Sequence, residues 1–235
     1  MKTYLLKTTA AVIGLMGLLS LSSCLKDNKN DYNPPIALVS FFQAVPNEPA
    51  VDFYLDNNKV NWAPINYGDG VDYFRAFASK RTAYFYLPST MDKKFSDTLS
   101  FKQDSIYSLF LAGTTAHPEL IKLNDIIEKP ASGKASIRFI HLSPDAPAVD
   151  VAVKDSAAFV TNKSFKGNSL FTPITGDKTY TFNVLQKGTT TVLATISGVN
   201  LPSGSVSTLV FSGLSASTTA NDKLAVYVVT NARFY

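Results

Sequence analysis

Two aspartates and a histidine fall within ten residues of each other: His141, Asp145 and Asp150. Side chains of these types can ligate a cation or pass a proton. An earlier copy of the same segment carries Gln43 and Asn47 where His141 and Asp145 stand, and both are weaker ligands. A Ca²⁺ site takes six or more oxygens, and no Asp-rich loop supplies them. His141 lies between Ile140 and Leu142, where a strand histidine serves as a structural hydrogen bonder. His117 precedes Pro118 and has no partner in sequence. The motifs G-x-S-x-G, H-E-x-x-H and C-x-x-C and a phosphate-binding P-loop are all absent. The residues therefore predict no catalytic site, no metal and no cofactor. A second chemistry is carried by aromatic rings. Residues 36–129 hold 16 of them and residues 134–235 hold 10, so the surplus lies in the first stretch, with the sole tryptophan, Trp62. In Tyr84-Phe85-Tyr86 the rings cannot all face one side of a strand, so Tyr84 and Tyr86 point opposite to Phe85. Tyr54 falls opposite Val51, Phe53 and Leu55 by the same rule. Tyr54, Tyr84 and Tyr86, with Trp62 and Tyr67 in a nearby loop, predict an amphipathic surface suited to sugars or protein partners. The alternative is that these rings cover an interface between domains or enlarge the core.

The elements that position these residues are repeated. Phe41, Pro46, Pro49, Ala50, Val51 and Asp52 recur as Phe139, Pro144, Pro147, Ala148, Val149 and Asp150, at an offset of 98. Tyr67 and Tyr73 match Phe165 and Phe171 at that offset, and Ser105–Gly113 resembles Ser205–Gly213. A period near 100 residues is a duplication of a whole domain. Ser-Pro-Asp-Ala-Pro is turn chemistry, because each proline fixes φ and removes a donor. Strand, rigid corner, strand is the expected order. Asp52 and Asp150 accept backbone N–H groups at that corner or face solvent.

Val149, Val151 and Val153 alternate with Asp150, Ala152 and Lys154, which is the period of a half-buried strand. Residues 179–185, 190–196, 207–211 and 224–229 are strand-like in composition, with turn residues between them. Residues 118–124 fit either a helical turn or a last strand. The spacing predicts an all-β chain of two tandem immunoglobulin-like antiparallel β-sandwiches, at 36–129 and 134–235, with a Pro-Ser-Gly linker at 130–133.

The chain has 235 residues and a formal charge of +4. No basic stripe accompanies that charge, which argues against a nucleic-acid partner. Lys2 and Lys7 precede an apolar stretch from Thr8 to Leu21, shorter than the ~20 residues that span a bilayer. The stretch ends in Leu21-Ser22-Ser23-Cys24, which resembles the lipobox of bacterial lipoprotein signals. That resemblance implies cleavage after residue 23 and acyl chains on Cys24, the only cysteine. Residues 24–35 read as a polar tether closed by two prolines. A cell-envelope, outer-membrane lipoprotein, exposed at the surface, is the expected location. The membrane is the partner implied at Cys24.

The segment from Arg138 to Val151, with His141-Leu-Ser-Pro-Asp-Ala-Pro-Ala-Val-Asp150 at its centre, resembles the bacterial domain of unknown function 4397. The resemblance is clearest over residues 134–215 and implies a secreted or surface-anchored β-sandwich without an assigned activity. Two functions follow as expectations. One is a non-catalytic surface module that binds a glycan or protein through the first domain. The other is an assembly protein, a pilin- or adhesin-like subunit.

Overall fold

Alternation of inward apolar and outward polar residues produces strands almost everywhere. The computed structural model describes residues 34–219 and 221–235, and none of these is helical. The signal, Cys24 and most of the tether lie outside the described residues. The first half comprises β1 (Ile36–Gln43), β2 (Asp52–Leu55), β3 (Asn58–Lys59), β4 (Gly70–Phe77), β5 (Lys80–Tyr86), β6 (Lys93–Ser100), β7 (Ile106–Thr114) and β8 (His117–Asn124). The second comprises β9 (Lys134–His141), β10 (Val149–Val153), β11 (Ala158–Lys163), β12 (Thr172–Thr175), β13 (Lys178–Gln186), β14 (Val192–Leu201), β15 (Ser205–Ser212) and β16 (Ala225–Arg233). The segment 118–124, open between helix and strand in the sequence, is β8. Its alternating half-buried residues belong to a sheet edge.

The strands form four sheets in two sandwich-like pairs. In the first half, sheet β3-β2-β5-β6 faces sheet β4-β1-β7-β8. Phe41, Phe53, Phe85 and Leu109 fill the space between them. In the second half, sheet β11-β10-β13-β14 faces sheet β12-β9-β15-β16 across Phe139, Val151, Phe182 and Phe211. Full burial of each such phenylalanine contributes about 1.5–3 kcal/mol. One pair in each half departs from the antiparallel pattern: β7 runs parallel to β1, and β15 parallel to β9. Parallel pairs need cover on both faces, and a third core supplies it. Phe42, Ala44, Phe110 and Ala112 from the first half meet Ile140, Leu142 and Val210 from the second. The two inner sheets thus lie back to back, and the order is outer, inner, inner, outer. Every residue of β15 is buried for this reason.

The contact between halves is built from matching positions. Phe42 and Ile140 correspond, as do Ala44 and Leu142, and Phe110 and Val210. Each copy therefore meets the same face of the other, as in a two-fold dimer. Gly113 and Gly213, at the ends of β7 and β15, take φ of 93° and 103°. A Cβ on Gly213 would lie 2.2 Å from the Lys223 carbonyl oxygen, so only glycine fits. β1 and β9 point the same way, because Arg138 meets Ser108 near one level and Ser212 bonds the Ala44 carbonyl near the other. The stack therefore has two ends. The proline corners lie at one, and the chain emerges from Pro35 at the other.

Candidate functional site

Each residue of the corner motif has a structural task. His141 is fully buried and lies edge-on to Phe211, with ring centroids 5.0 Å apart. Its Nε2–H donates to the Pro147 carbonyl oxygen at 3.1 Å, which ties the strand to the corner that follows. Burial holds its pKa below the usual histidine value, against the raising effect of that bond. Asp145 accepts the amides of Ser215 and Ala216 and the hydroxyl of Ser143. Burial pushes its carboxyl up, but those donors outweigh it and hold the pKa low. Asp150 accepts the amides of Gly188 at 2.9 Å and Asn162 at 2.7 Å, which lowers its pKa. Asp52, in the first copy, pairs with Lys59 at 2.7 Å and accepts the Asn61 amide. Pro46, Pro49, Pro144 and Pro147 lie in the connections between β1 and β2 and between β9 and β10. Among the described residues no group of three or more His, Cys, Asp or Glu could hold a metal. His141, Asp145 and Asp150 each face different partners, so they do not form one constellation.

The aromatic candidates separate into three places. Tyr54, Tyr84 and Tyr86 share the outward face of sheet β3-β2-β5-β6. Tyr54 stands opposite Tyr84 in the ladder, and Asp52 opposite Tyr86. The Tyr54 and Tyr86 rings meet edge to face at 5.3 Å, and Tyr84 stacks on Tyr86 at 6.1 Å. Lys93 lies over the Tyr84 ring at 5.9 Å. All three tyrosines are half-buried and belong to none of the cores. The face thus offers a cluster of amphipathic rings beside a carboxylate and two lysines.

Trp62 stands on a different feature. After β3 the edge strand stops, and Asn61 takes over its bonding. The Asn61 Oδ1 accepts the Phe53 amide at 2.7 Å, and its Nδ2 donates to Asp52 and to the Ala63 carbonyl. Ile65 is then fastened by an antiparallel bridge to Val51. Asn61 and Ile65 are buried, yet Trp62 between them is 97% exposed. A cleft of about 440 Å³ lies beside the ring, with Asp69 and Asp72 in its wall. The second half has no counterpart, since β11 continues as an ordinary edge strand.

Tyr67 goes elsewhere. It meets Tyr227 edge to face at 5.7 Å, and its hydroxyl donates to Ser212. It therefore helps to join the two halves, and burial raises its phenol pKa well above the usual value. It also floors a polar cleft of about 640 Å³ with Asn47, Asn66 and Asn221. The expectation of one surface made by all five rings is corrected here. The repeat explains the placement: Tyr67 occupies the position of Phe165, which packs in the same central core.

Sequence reasoning missed the polar centre of that interface. Arg138 pairs with Asp125 at 2.5 Å and donates to Ser108 and Thr208. Tyr73 donates to Asp125, and Asn231 donates to the Tyr73 hydroxyl. Burial and the Asp125 charge push the Tyr73 phenol up to about 12. Arg138 and Asp125 lie 13 residues apart on either side of the linker, one within an apolar strand and one just past the segment 118–124, so no local signal joined them.

Comparison with known proteins bears on the corner. Residues 37–152 match the family described as Domain of unknown function (DUF4397). The chain belongs to the DUF4397 family. The match runs through the first half and ends just past Asp150 in the second, although the resemblance was clearest in sequence over 134–215. Both corner copies of the DUF4397 chain thus fall inside it. No curated protein matches the chain. Among solved structures, CBMbc (family CBM26) from Eubacterium rectale Amy13K, in complex with maltoheptaose, is 12% identical. It covers 84% of this chain and 97% of its own, with a TM-score of 0.28. A structure described as alpha-glucan binding by a streptococcal virulence factor is 11% identical, covers 81% and 96%, and has a TM-score of 0.23. Both superpose too loosely to bear on the site of this DUF4397 protein.

Proposed function

We propose that this protein is a non-catalytic binding module of the bacterial cell surface, held at the outer membrane by acyl chains on Cys24 and taking a glycan as its ligand. The observation that carries the reading is Trp62. Leaving a tryptophan in water forgoes the largest burial energy that one side chain can contribute. Here Asn61 and Ile65 on either side are buried and bonded, so the exposure is built rather than incidental. Rigid, displayed aromatic rings are the anchors that dominate recognition surfaces. The tyrosine face of the same half, with Asp52 and Lys59 beside it, supplies hydrogen-bonding groups next to ring faces, the combination that a sugar requires.

The test is a glycan array, run beside a panel of matrix proteins, with the fragment from Asp31 to Tyr235. All three cores lie within residues 37–229, so this fragment keeps every core residue. Trp62→Ala lowers affinity for a retained glycan by about 30-fold, the size of an anchor residue's contribution. Its melting temperature stays that of the parent, because Trp62 touches little. Full retention by Trp62→Ala together with Tyr84→Ala and Tyr86→Ala removes the reading. Retention of matrix proteins alone replaces the glycan by a protein ligand.

A further inference from the structure

The end of the stack from which the chain emerges is held together by one series of backbone bonds. Ala78 N–H donates to Pro35, Asp104 to Ile36, Phe101 to Ser79 and Asp125 to Ile106 in the first half. Gly176 donates to Gly133, Gly204 to Lys134 and Phe234 to Gly204 in the second. The turns they join carry Lys80, Lys102, Lys129, Lys134, Lys178 and Arg233, all exposed. Asp104, Glu128 and Asp177 are the exposed acids there. Arg81 and Asp125 belong to ion pairs within the fold, with Asp56 and Arg138. Lys129 donates to the Tyr235 carbonyl oxygen, which leaves, among the described residues, five exposed cations without an acceptor against three exposed acids. Phe77, Ile126 and Tyr235 stand exposed among them. Trp62 lies on the connection that leads toward the opposite end, where Gly68 N–H donates to the Gln43 carbonyl.

We propose that this end is a membrane-apposed surface, which seats its lysines on anionic lipid headgroups and its three exposed apolar side chains at the interface. The proposal rests on the anchoring reading. Eleven residues run from Cys24 to Pro34, a span of about 40 Å at most. An anchored chain thus brings this end closest to the headgroups, at high effective concentration. Each lysine or arginine near an anionic bilayer adds attraction that decays within a Debye length. Exposed apolar rings among cations are the residues that enter such an interface. Seated so, the molecule turns Trp62 away from the bilayer.

The unlipidated fragment from Asp31 to Tyr235 tests this without the acyl chains. It is sedimented with vesicles of phosphatidylglycerol and phosphatidylcholine, and with vesicles of phosphatidylcholine alone. The fragment pellets with the anionic vesicles only, and 0.5 M salt releases it, since the Debye length there falls to about 4 Å. Lys80→Glu, Lys102→Glu and Lys134→Glu together lower the partition coefficient by about tenfold or more. The control triple Lys93→Glu, Lys187→Glu and Lys223→Glu, elsewhere on the surface, leaves it within twofold. All six lysines are exposed, and an unchanged circular dichroism spectrum certifies both variants. No pelleting with anionic vesicles, or equal losses in the two triples, overturns the proposal. The anchor is tested apart from it: Cys24→Ala in the full chain releases the protein from the membrane fraction, whatever the vesicles show.

Discussion

The two copies of the corner differ at one buried position, and that difference has a measurable consequence. Gln43 and His141 are both fully buried, and each keeps one nitrogen, Nε2 or Nδ1, without a partner among the described residues. Gln43 accepts the Val45 amide, whereas His141 donates to Pro147. Both are structural ties, but only the histidine titrates. Its folded pKa is lowered by burial, while an unfolded histidine takes up a proton near 6.5. Below pH 6.5 the unfolded chain thus binds more protons, and stability falls as the pH drops from 6.5 through the folded value. The limiting slope is about 1.4 kcal/mol per pH unit. Above pH 6.5 the term is constant. His141→Gln, the residue of the first copy, removes this slope. Urea denaturation of both proteins at pH 7.5, 6.5 and 5.5 shows the difference between them widening only below pH 6.5. Parallel curves would mean that the folded ring takes up its proton as readily as the unfolded one. The structural reading of the corner was available from the sequence, because proline spacing and a histidine among apolar residues are local facts. The partners of Asp145 were not, since Ser215 and Ala216 lie some 70 residues away.

At the scale of elements, the sequence showed strands wherever one face is buried and the period is two, as in β2, β10 and β13. It was least informative where both faces are buried. β7 and β15 are buried along almost their whole length, yet IYSLFLAGT and SVSTLVFS mix apolar residues with serine and threonine, and nothing in them tells parallel from antiparallel pairing or names the second face they cover. Edge elements such as β3 were equally hidden, because a side chain can stand in for a strand. Asn61 is that case. Replacing it by alanine leaves the buried Phe53 amide without an acceptor and removes two further bonds. An orphaned buried donor costs about 1–3 kcal/mol. Asn61→Ala therefore lowers stability by that amount and weakens glycan retention even though Trp62 remains. Trp62→Ala weakens retention at unchanged stability. Melting curves beside binding curves separate the two. Loss of retention in Asn61→Ala without a loss of stability would place Asn61 in contact with the ligand instead.

The whole molecule is a duplication whose copies have become unequal partners. Ser108 pairs with Leu123 in the ladder and Thr208 with Val229, so Asp125 and Asn231 hold matching positions two residues farther on. Ser40 and Arg138 match by the repeat offset. A symmetric ancestor would place like residues across the axis; here one copy brings the cation and the other the anion. Both are almost fully withdrawn from water, with side-chain exposures of 4% and 0%. Such a pair adds little net stability relative to an apolar one, yet removing one member strands the other's charge, at a cost of about 3–5 kcal/mol. Arg138→Ser, the residue of the matching position, therefore destabilises by about that amount. It acts where the halves meet, so its urea unfolding separates into two transitions, against the one that the shared core predicts for the parent. Adding Asp125→Asn, again the matching residue, removes the stranded charge and recovers most of the loss. A double-mutant cycle in urea gives the coupling directly. If Arg138→Ser stays within about 1 kcal/mol of the parent, the apolar contacts of Phe42, Phe110, Ile140 and Val210 hold the halves alone, and the ion pair sets only which copy faces which.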